Sequence, residues 1–322
     1  MTTTHAEHHR LRLPAAVDGL RLDQALARVL TQYSRSALKQ WIDRGQVTLN
    51  GEPARPRTCV RTGDQVHVAA TLDYTAALAP QPVEFTLVFA DSDLIVIDKP
   101  AGLVVHPGAG NPDRTLVNGL LARFPELAAL PRAGLIHRID KDTSGLLVAA
   151  RTPAAYQALV RALTAREIHR RYLAVVTGVL VAGGTIDAAI ARDPLQRTRM
   201  RVAEGGRSAV THYRVAERYR AHSLLNIELE TGRTHQIRVH FAWRGYPLVG
   251  DTRYGARPHL PPAAGTPLRD QLQHFPRQAL HACELELEHP VNGERLAFAA
   301  SLPADLATLL EALAADCAAH AP

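Results

Sequence analysis

One short stretch of the sequence combines an acid, a turn and an apolar strand. The run HRIDKDTSG occupies residues 137–145, and the apolar residues LLV follow at 146–148. Thr-Ser-Gly is typical of a turn, and a buried strand after it would hold the loop rigidly. The pattern predicts that Asp140 lies on a loop fixed by the core, where catalytic side chains are often found. The competing interpretation is that Asp140 or Asp142 only caps the turn, which is the more frequent case for a single acid in such a turn.

Two further segments carry side chains that could work with such a carboxylate. RYLAVV, at 171–176, places the aromatic hydroxyl of Tyr172 beside a strand, and TGRTHQIR, at 231–238, places Arg233 after a glycine turn at the start of a helix. An aromatic ring offers a base a stacking surface worth about 1–3 kcal/mol. A guanidinium beside a carboxylate keeps the carboxylate ionised and fixes its orientation.

These three runs, preceded by DKPAG at 98–102, resemble the pseudouridine synthases of the RluA type, in order and over essentially the whole larger domain. The resemblance implies that Asp140 is the acid that these enzymes cannot do without. It implies that Tyr172 packs on the target uracil and is the candidate for taking up the C5 proton, and that Arg233 pairs with the catalytic carboxylate. One departure is Ile139, where leucine is more usual, and this near-isosteric change leaves the acid in place.

The resemblance also implies a substrate pocket, whose residues are expected to be His137, Arg138, Leu146 and Ile237. Leu146 and Ile237 would form apolar walls, and Arg138 is expected to touch a phosphate or the target base. Two lysines, Lys99 and Lys141, are weaker candidates for phosphate contacts. The histidines at 235 and 240 are interpreted as structural or surface residues.

The reaction implied by the resemblance accounts for these residue types. Uridine becomes pseudouridine when the base leaves C1′ of the ribose, rotates and reattaches through C5, with no net redox change. We therefore expect no cofactor, no metal and no ATP. The target nucleotide must be flipped out of its stack, at a cost of a few kcal/mol. Asp140 must be ionised whether it attacks the sugar, attacks the base or removes a sugar proton, and the sequence leaves these three roles open.

The N-terminal part of the chain has the pattern of a small RNA-binding module. Apolar residues at helical spacing predict helices over 20–30 and 35–44, followed by short strands. Residues 19–68 contain eight Lys/Arg against four Asp/Glu. The segments RLDQALA, YSRSALKQWIDRGQVTLNG and GDQV resemble the S4 RNA-binding domain, which implies RNA contacts by basic residues, here Arg21, Arg35, Lys39 and Arg44. The alternative is that these charges only form a solvated helix face.

The chain divides by composition and pattern into a flexible tail (1–16), the S4 domain (17–70), an Ala- and Pro-rich linker (71–82) and a catalytic domain (83–322). Strands that mostly neighbour one another, with helices interspersed irregularly, predict an α+β fold built on a mainly antiparallel mixed sheet. The resemblance identifies it as the pseudouridine synthase fold, preceded by a small α/β S4 (alpha-L) domain. Residues 256–275, rich in proline and polar side chains, are predicted to be a surface excursion.

Composition narrows the classes of function. The 322 residues have a net charge of +6 and a pI near 9.5, which suggests an anionic partner. No apolar run is long enough to span a bilayer, no secretory signal is recognisable, and three scattered cysteines do not make a disulfide framework. No zinc-ligand spacing is present. We therefore expect a cytoplasmic protein without a metal, and a monomer, although no residue pattern bears on its oligomeric state.

The resemblance implies an enzyme that isomerises uridines in 23S ribosomal RNA, free or in the large ribosomal subunit, with the helix 69 hairpin as the expected target. A second hypothesis keeps this chemistry but assigns another rRNA or tRNA site. A third is a ribosome-assembly factor that acts mainly through RNA binding by its S4 module. A metal-dependent hydrolase is the remaining alternative, and activity insensitive to a chelator would exclude it.

Overall fold

The structure is a computed structural model that describes residues 5–30, 33, 35–72, 79–108, 110–196, 198–255 and 257–321. Its contacts separate two compact units, Met1–Ala79 and Pro80–Pro322, and the division falls inside the segment that the sequence predicts to be a linker. Within the described residues, no helix has both the length and the apolar character needed to cross a bilayer.

The first unit packs two helices on a small sheet. The helices are α1 (Leu22–Val29) and α2 (Arg35–Asp43), and the strands are β1 (His5–Arg12), β2 (Val47–Leu49), β3 (Glu52–Pro53) and β4 (Gln65–Leu72). The sheet order is β1-β4-β2-β3. The core contains the apolar faces predicted for both helices, including Leu22, Leu26, Leu38, Trp41 and Ile42. Helical periodicity therefore located the buried side of each helix correctly.

The prediction of a flexible tail over 1–16 is wrong for the part that the structure describes. Strand β1 pairs with β4 in antiparallel register along its whole length, from His5 opposite Leu72 to Arg12 opposite Gln65. Leu13 follows directly and is buried in the core of the unit. The histidine-rich composition hid this strand, because an edge strand is held by backbone hydrogen bonds that need no apolar pattern along its full length.

The second unit is built on one large sheet. Its strands are β5 (Thr86–Ala90), β6 (Leu94–Lys99), β7 (Ser144–Ala150), β8 (His169–Thr177), β9 (Gly184–Asp187), β10 (Ile190–Arg192), β11 (Met200–Val202), β12 (Val210–Arg218), β13 (His222–Leu229), β14 (Leu280–Glu288) and β15 (Arg295–Ala299). Nine of them form the sheet: eight follow the order β5-β6-β7-β14-β8-β13-β12-β9, and β15 pairs with β14. Strands β10 and β11 form a separate hairpin. The β7–β14 pair is parallel and the other described pairs are antiparallel, so the predicted mixed, mainly antiparallel α+β fold is confirmed.

Five helices cover this sheet: α3 (Leu116–Arg123), α4 (Pro153–Ala165), α5 (Gln236–Trp243), α6 (Thr266–His274) and α7 (Ala304–Ala319). Alternate residues of β7 enter different cores, because side chains of a strand point to opposite faces. Leu147 and Ala149 pack in the cluster that contains Tyr172 and Ile237. Leu146 packs on the other side, in the cluster that contains α4.

The predicted surface excursion over 256–275 contains a packed helix. Leu268 and Leu272 of α6 are buried in the cluster that also holds Leu306, Leu309 and Leu313 of α7. The proline-rich composition of the segment concealed a short amphipathic helix, since Pro267 lies in its first turn, where proline is tolerated.

Gly145 occupies a place where three strands converge. Its φ is +113°, and a Cβ there would lie 2.2 Å from the carbonyl oxygen of Ala282 on β14. Gly145→Ala should therefore destabilise the protein by on the order of 3 kcal/mol, because backbone strain adds to a clash with backbone atoms. Urea unfolding measures the loss, with Gly293→Ala as the control, since its φ is also positive but a Cβ there meets no atom within 4 Å. Equal losses in the two variants would contradict the packing argument.

Candidate active site

The turn of the Asp140 loop is closed by a backbone hydrogen bond, so the Asp140 side chain takes no part in the turn. The N–H of Thr143 donates to the carbonyl oxygen of Asp140 over 3.1 Å, so the main chain makes the turn. The carboxylate lies instead at a cavity and is 16% exposed. Turn capping by the Asp140 side chain, the alternative considered from sequence, does not occur in this geometry.

Arg238 of α5 binds this carboxylate. Its Nη1 donates to Oδ2 of Asp140 over 2.9 Å. Two further N–H groups of the guanidinium donate to Asp251, with Nε to Oδ2 at 2.7 Å and Nη2 to Oδ1 at 2.9 Å. A bidentate pair fixes the plane of a guanidinium more firmly than a single contact does. Asp251 therefore determines the direction in which Arg238 presents its third donor to Asp140.

The charges of this cluster stabilise one another although all are largely buried. Burial by itself would raise the pKa of Asp251, but the hydrogen bonds and charge of Arg238 outweigh it, and the pKa is lowered. Burial likewise opposes the charge of Arg238, yet the two carboxylates raise its pKa. The N–H groups of Arg253 and Tyr254 also donate to Asp251. The cluster thus consists of one arginine and two carboxylates. Asp251 fixes Arg238 in place, and Arg238 binds Asp140.

The sequence assigned the pairing arginine to the wrong position. The Nε of Arg233 donates to the carbonyl oxygen of Ser208 over 2.9 Å, and Arg238 makes the contact with Asp140. Arg233 precedes α5, which begins at Gln236, and its side chain turns toward the start of β12. Arg238 lies in the first turn of the helix and points inward, with 8% of its side chain exposed. Arg233 nevertheless lines the same cavity.

Tyr172 faces this cavity from the centre of the sheet. It lies on β8 between Ile227 and Ala282 of the neighbouring strands and is 5% exposed. Burial raises the pKa of its hydroxyl, and the charge of Asp140 acts in the same direction. The hydroxyl is therefore protonated near neutral pH, so the residue offers an aromatic surface rather than a ready base.

The expected pocket residues have separate outcomes. Ile237 and Arg138 line the cavity, and Arg138 is exposed. Leu146 does not line it, because Leu146 lies on the opposite face of β7. His137 is buried, and its Nε2 accepts the N–H of Val148 over 3.2 Å, so it ties the loop to β7 instead of facing the cavity. Burial lowers the pKa of His137 to about 3, which makes this imidazole neutral.

Several cavity residues escaped the sequence reasoning. Arg170 is 7% exposed and lines the cavity, and its Nε has no hydrogen-bond partner among the described residues. His235, interpreted as an ordinary histidine, has its Nε2 3.8 Å from Oδ1 of Asp140. The sequence did hold a signal for the ion-pair cluster. Arg238 is the second arginine of TGRTHQIR, and Asp251 is the last residue of the run YPLVGD at 246–251.

Comparison with known proteins assigns the family. Residues 93–243 match the model of the RNA pseudouridylate synthase family, and residues 20–66 match the S4 domain. The chain is 53% identical over 306 residues to the ribosomal large subunit pseudouridine synthase D of Xanthomonas campestris pv. campestris, covering 95% of this chain and 92% of that protein. The chain belongs to the RNA pseudouridylate synthase family. It is also 48% identical to the ribosomal large subunit pseudouridine synthase D of Escherichia coli, over 97% of both chains.

Solved structures agree with this family. Human RNA pseudouridylate synthase domain containing 4 aligns with a TM-score of 0.56 at 26% identity, covering 71% of this chain and 92% of that one. Human RNA pseudouridylate synthase domain containing 1 aligns with a TM-score of 0.53 at 25% identity, covering 72% and 87%. The expected enzyme class and the two-domain family assignment are therefore confirmed.

Lys99 of this pseudouridine synthase has no access to a phosphate. The residue is 0% exposed, and its Nζ donates to the carbonyl oxygens of Pro100, Leu103 and Lys141 over 2.7–2.9 Å. Burial lowers its pKa to about 7. The lysine thus joins the DKPAG loop to the Asp140 loop, and the prediction of a phosphate contact is wrong.

One group of side chains in the enzyme has the makeup of a metal site. Potential ligand atoms of Asp91, Asp93 and His289 lie within 4.8 Å of one another. His289 already uses both ring nitrogens, with Nε2 2.9 Å from Asp91 and Nδ1 accepting the N–H groups of Val291 and Asn292. These hydrogen bonds join the turn that contains Asp91 to the turn that contains His289.

The basic residues expected to bind RNA lie in the S4 unit of the synthase. Nζ of Lys39 is 3.1 Å from Asp43, and Nε of Arg21 is 3.1 Å from Asp23. Arg44 is exposed at the end of α2. The side chain of Arg35 lies outside the described part of the structure. Their role in RNA binding stays a prediction.

Proposed function

We propose that this enzyme converts specific uridines of large-subunit ribosomal RNA to pseudouridine, with Asp140 as its essential carboxylate. The observation that carries this proposal is the cavity in which Arg238 holds one oxygen of Asp140, while Tyr172 supplies an aromatic wall. A flipped base can stack on such a wall, which recovers about 1–3 kcal/mol of the cost of flipping.

Each residue of the cavity has its own role in this proposal. Arg238 orients the carboxylate, Tyr172 binds the ring as a neutral phenol, and Ile237 helps to exclude water. In the reaction the N1–C1′ bond breaks, the base rotates, a C5–C1′ bond forms, and a proton leaves C5 while N1 gains one. Asp140 could start this sequence by attacking the sugar, attacking the base or removing a sugar proton. All three steps require an ionised carboxylate, which is the form that accepts the hydrogen bond from Arg238.

The proposed substrate is 23S ribosomal RNA, free or in the large subunit, with uridines of the helix 69 hairpin as the target. Support comes from relatives named for the large ribosomal subunit that match nearly the whole chain at about half identity. The S4 match supplies a second RNA-binding unit. With this substrate, we propose that the enzyme acts in the cytoplasm, as a monomer and without a metal.

Mapping of pseudouridines in a deletion strain tests the proposed substrate. Carbodiimide treatment followed by primer extension on 23S rRNA should show the loss of stops at uridines of helix 69, and a plasmid copy of the gene should restore them. The tRNA pool of the same strain is the control. If the helix 69 stops persist and stops disappear elsewhere in rRNA or tRNA, the proposed target is wrong although the chemistry stands.

A further inference from the structure

The two oxygens of the Asp140 carboxylate have different surroundings. Oδ2 accepts the hydrogen bond from Arg238. Oδ1 accepts no hydrogen bond from the described residues, and the ring of His235 faces it, with Nε2 at 3.8 Å. The histidine side chain is 14% exposed and lines the cavity that contains Tyr172. The second oxygen thus has one ring nitrogen near it, just beyond hydrogen-bond distance.

The partners of Tyr254 determine which nitrogen of His235 carries its proton. The hydroxyl oxygen of Tyr254 accepts the N–H of Met200 over 2.8 Å and lies 2.7 Å from Nδ1 of His235. Burial raises the pKa of Tyr254, so its hydroxyl keeps the proton. Within the described structure, that proton has Nδ1 as its acceptor. With the phenol as the donor, Nδ1 accepts, and a neutral His235 carries its hydrogen on Nε2, the atom that faces Asp140.

The backbone at His235 has a conformation that is uncommon for a residue other than glycine. Its φ and ψ are 56° and 23°, in the left-handed region, directly before α5. A side chain other than glycine costs roughly 1–2 kcal/mol there. Strain of this kind persists only where the surrounding structure holds the residue in place.

We propose that His235 is a positioning residue, a neutral imidazole whose Nε2–H orients the free oxygen Oδ1 of Asp140 in a tautomer imposed by Tyr254. The inference rests on the proposed role of Asp140. Closure of the cavity on a substrate needs to shorten the contact by less than 1 Å to make a hydrogen bond. With both oxygens held, the carboxylate has one orientation toward the flipped nucleotide.

A neutral donor suits this position better than a cation would. Arg238 and Arg253 lie near His235 and oppose its protonation, while Asp140 and Asp251 favour it. Burial is the largest influence, and the pKa of His235 is lowered. Protonation would turn Nδ1 into a donor and leave the Tyr254 hydroxyl proton without its acceptor. A second cation would also weaken the carboxylate as a nucleophile or base.

Two substitutions at His235 separate the donor from the packing of the ring. His235→Gln places an amide N–H close to the position of Nε2–H, whereas His235→Leu removes every donor, and both bear a similar backbone cost. We expect His235→Leu to lower kcat by about 10- to 100-fold with KM little changed. His235→Gln should recover most of this loss. The rates of both variants are measured by single-turnover kinetics on a 23S rRNA fragment that contains the target, over a range of RNA concentrations. Unchanged kcat in the leucine variant, or equal losses in both variants, would overturn the proposal.

The pH profile tests the tautomer. In Tyr254→Phe the donor to Nδ1 is lost, so the pKa of His235 should rise toward its ordinary value. The acid limb of kcat should then move to higher pH, and activity near pH 6 should fall most. His240→Gln is the matched control, because this buried histidine of α5 bonds to Thr211 and Ala188. It should alter stability without moving the acid limb. An unmoved acid limb in Tyr254→Phe would refute the imposed tautomer.

Including Asp140→Asn in the same assay distinguishes a failure of the role proposed for Asp140 from a failure of the role proposed for His235. Activity in that variant would overturn the role of Asp140 itself. An inactive Asp140→Asn beside a fully active His235→Leu would overturn only the role of His235.

Discussion

Asp140→Asn should abolish pseudouridine formation, lowering the rate by at least about 10⁴-fold. The amide keeps the shape of the side chain and an oxygen that can accept the hydrogen bond from Arg238, so the fold and RNA affinity should change little. What it loses is the negative charge, which each of the three possible chemical roles requires. Carbodiimide-dependent primer extension measures the product, and filter binding measures the affinity for RNA.

A matched control exists two residues along the same loop. Asp142→Asn removes a carboxylate from the loop but leaves the Arg238 contact intact, and it should retain most of the activity. Retained activity in Asp140→Asn would contradict the assignment of the essential acid. If the inactive variant rescued a deletion strain as well as the wild type does, RNA binding in ribosome assembly would be the main cellular task.

Arg238→Lys should lower kcat by about 10²- to 10³-fold while changing KM much less. A lysine keeps the positive charge but has one ammonium group, so it cannot form a bidentate pair with Asp251 and also hold Asp140. The carboxylate then loses its orientation, and the loss of one preorganised donor at a reacting group has an effect of this size. Single-turnover rates at saturating RNA report the change.

Arg238→Lys should also lower the free energy of unfolding, because the buried Asp251 loses part of its hydrogen bonding. The loss of stability must therefore be measured separately from the loss of rate. We expect a cost of about 1.5–3 kcal/mol in urea unfolding. Arg220→Lys is the control, since Arg220 binds the buried carboxylate of Asp316 through Nη1 at 3.0–3.1 Å and the carbonyl oxygen of Pro262 through Nη2, and one ammonium group cannot hold both partners in the same way. It should lose comparable stability and retain its rate. A similar loss of rate in both variants would mean that destabilisation alone explains the effect.

Residues whose placement follows from local pattern were predictable, while their roles stay proposals. Asp140 precedes a turn and then a strand whose apolar residues are adjacent in the sequence, and Tyr172 lies inside a strand-like run. The helical faces of the S4 unit follow a period that six or seven neighbouring residues already express. The family resemblance then assigned chemistry to these positions.

Partners that are distant in sequence were not predictable from such patterns. Arg238 and Asp140 are 98 residues apart, and Asp251 lies 13 residues beyond the arginine. Arg233 and Arg238 share one motif, and the choice between them depends on where α5 begins and which of its sides faces the core. The choice of Leu147 over Leu146 for the cavity side likewise depends on how β7 pairs with β6 and β14, since a shift of one residue exchanges the two faces.

The sequence by itself determined the family and the order of its two matched domains, and it selected Asp140 as the proposed essential acid, because each is written in contiguous residues. Only the tertiary structure decided how that acid is held. Arg238 binds one oxygen, His235 faces the other, and Asp251 and Tyr254 orient these two residues. Hydrogen-bond direction and tautomer arise from atoms that long-range packing brings within 3–4 Å, and no local periodicity encodes that proximity.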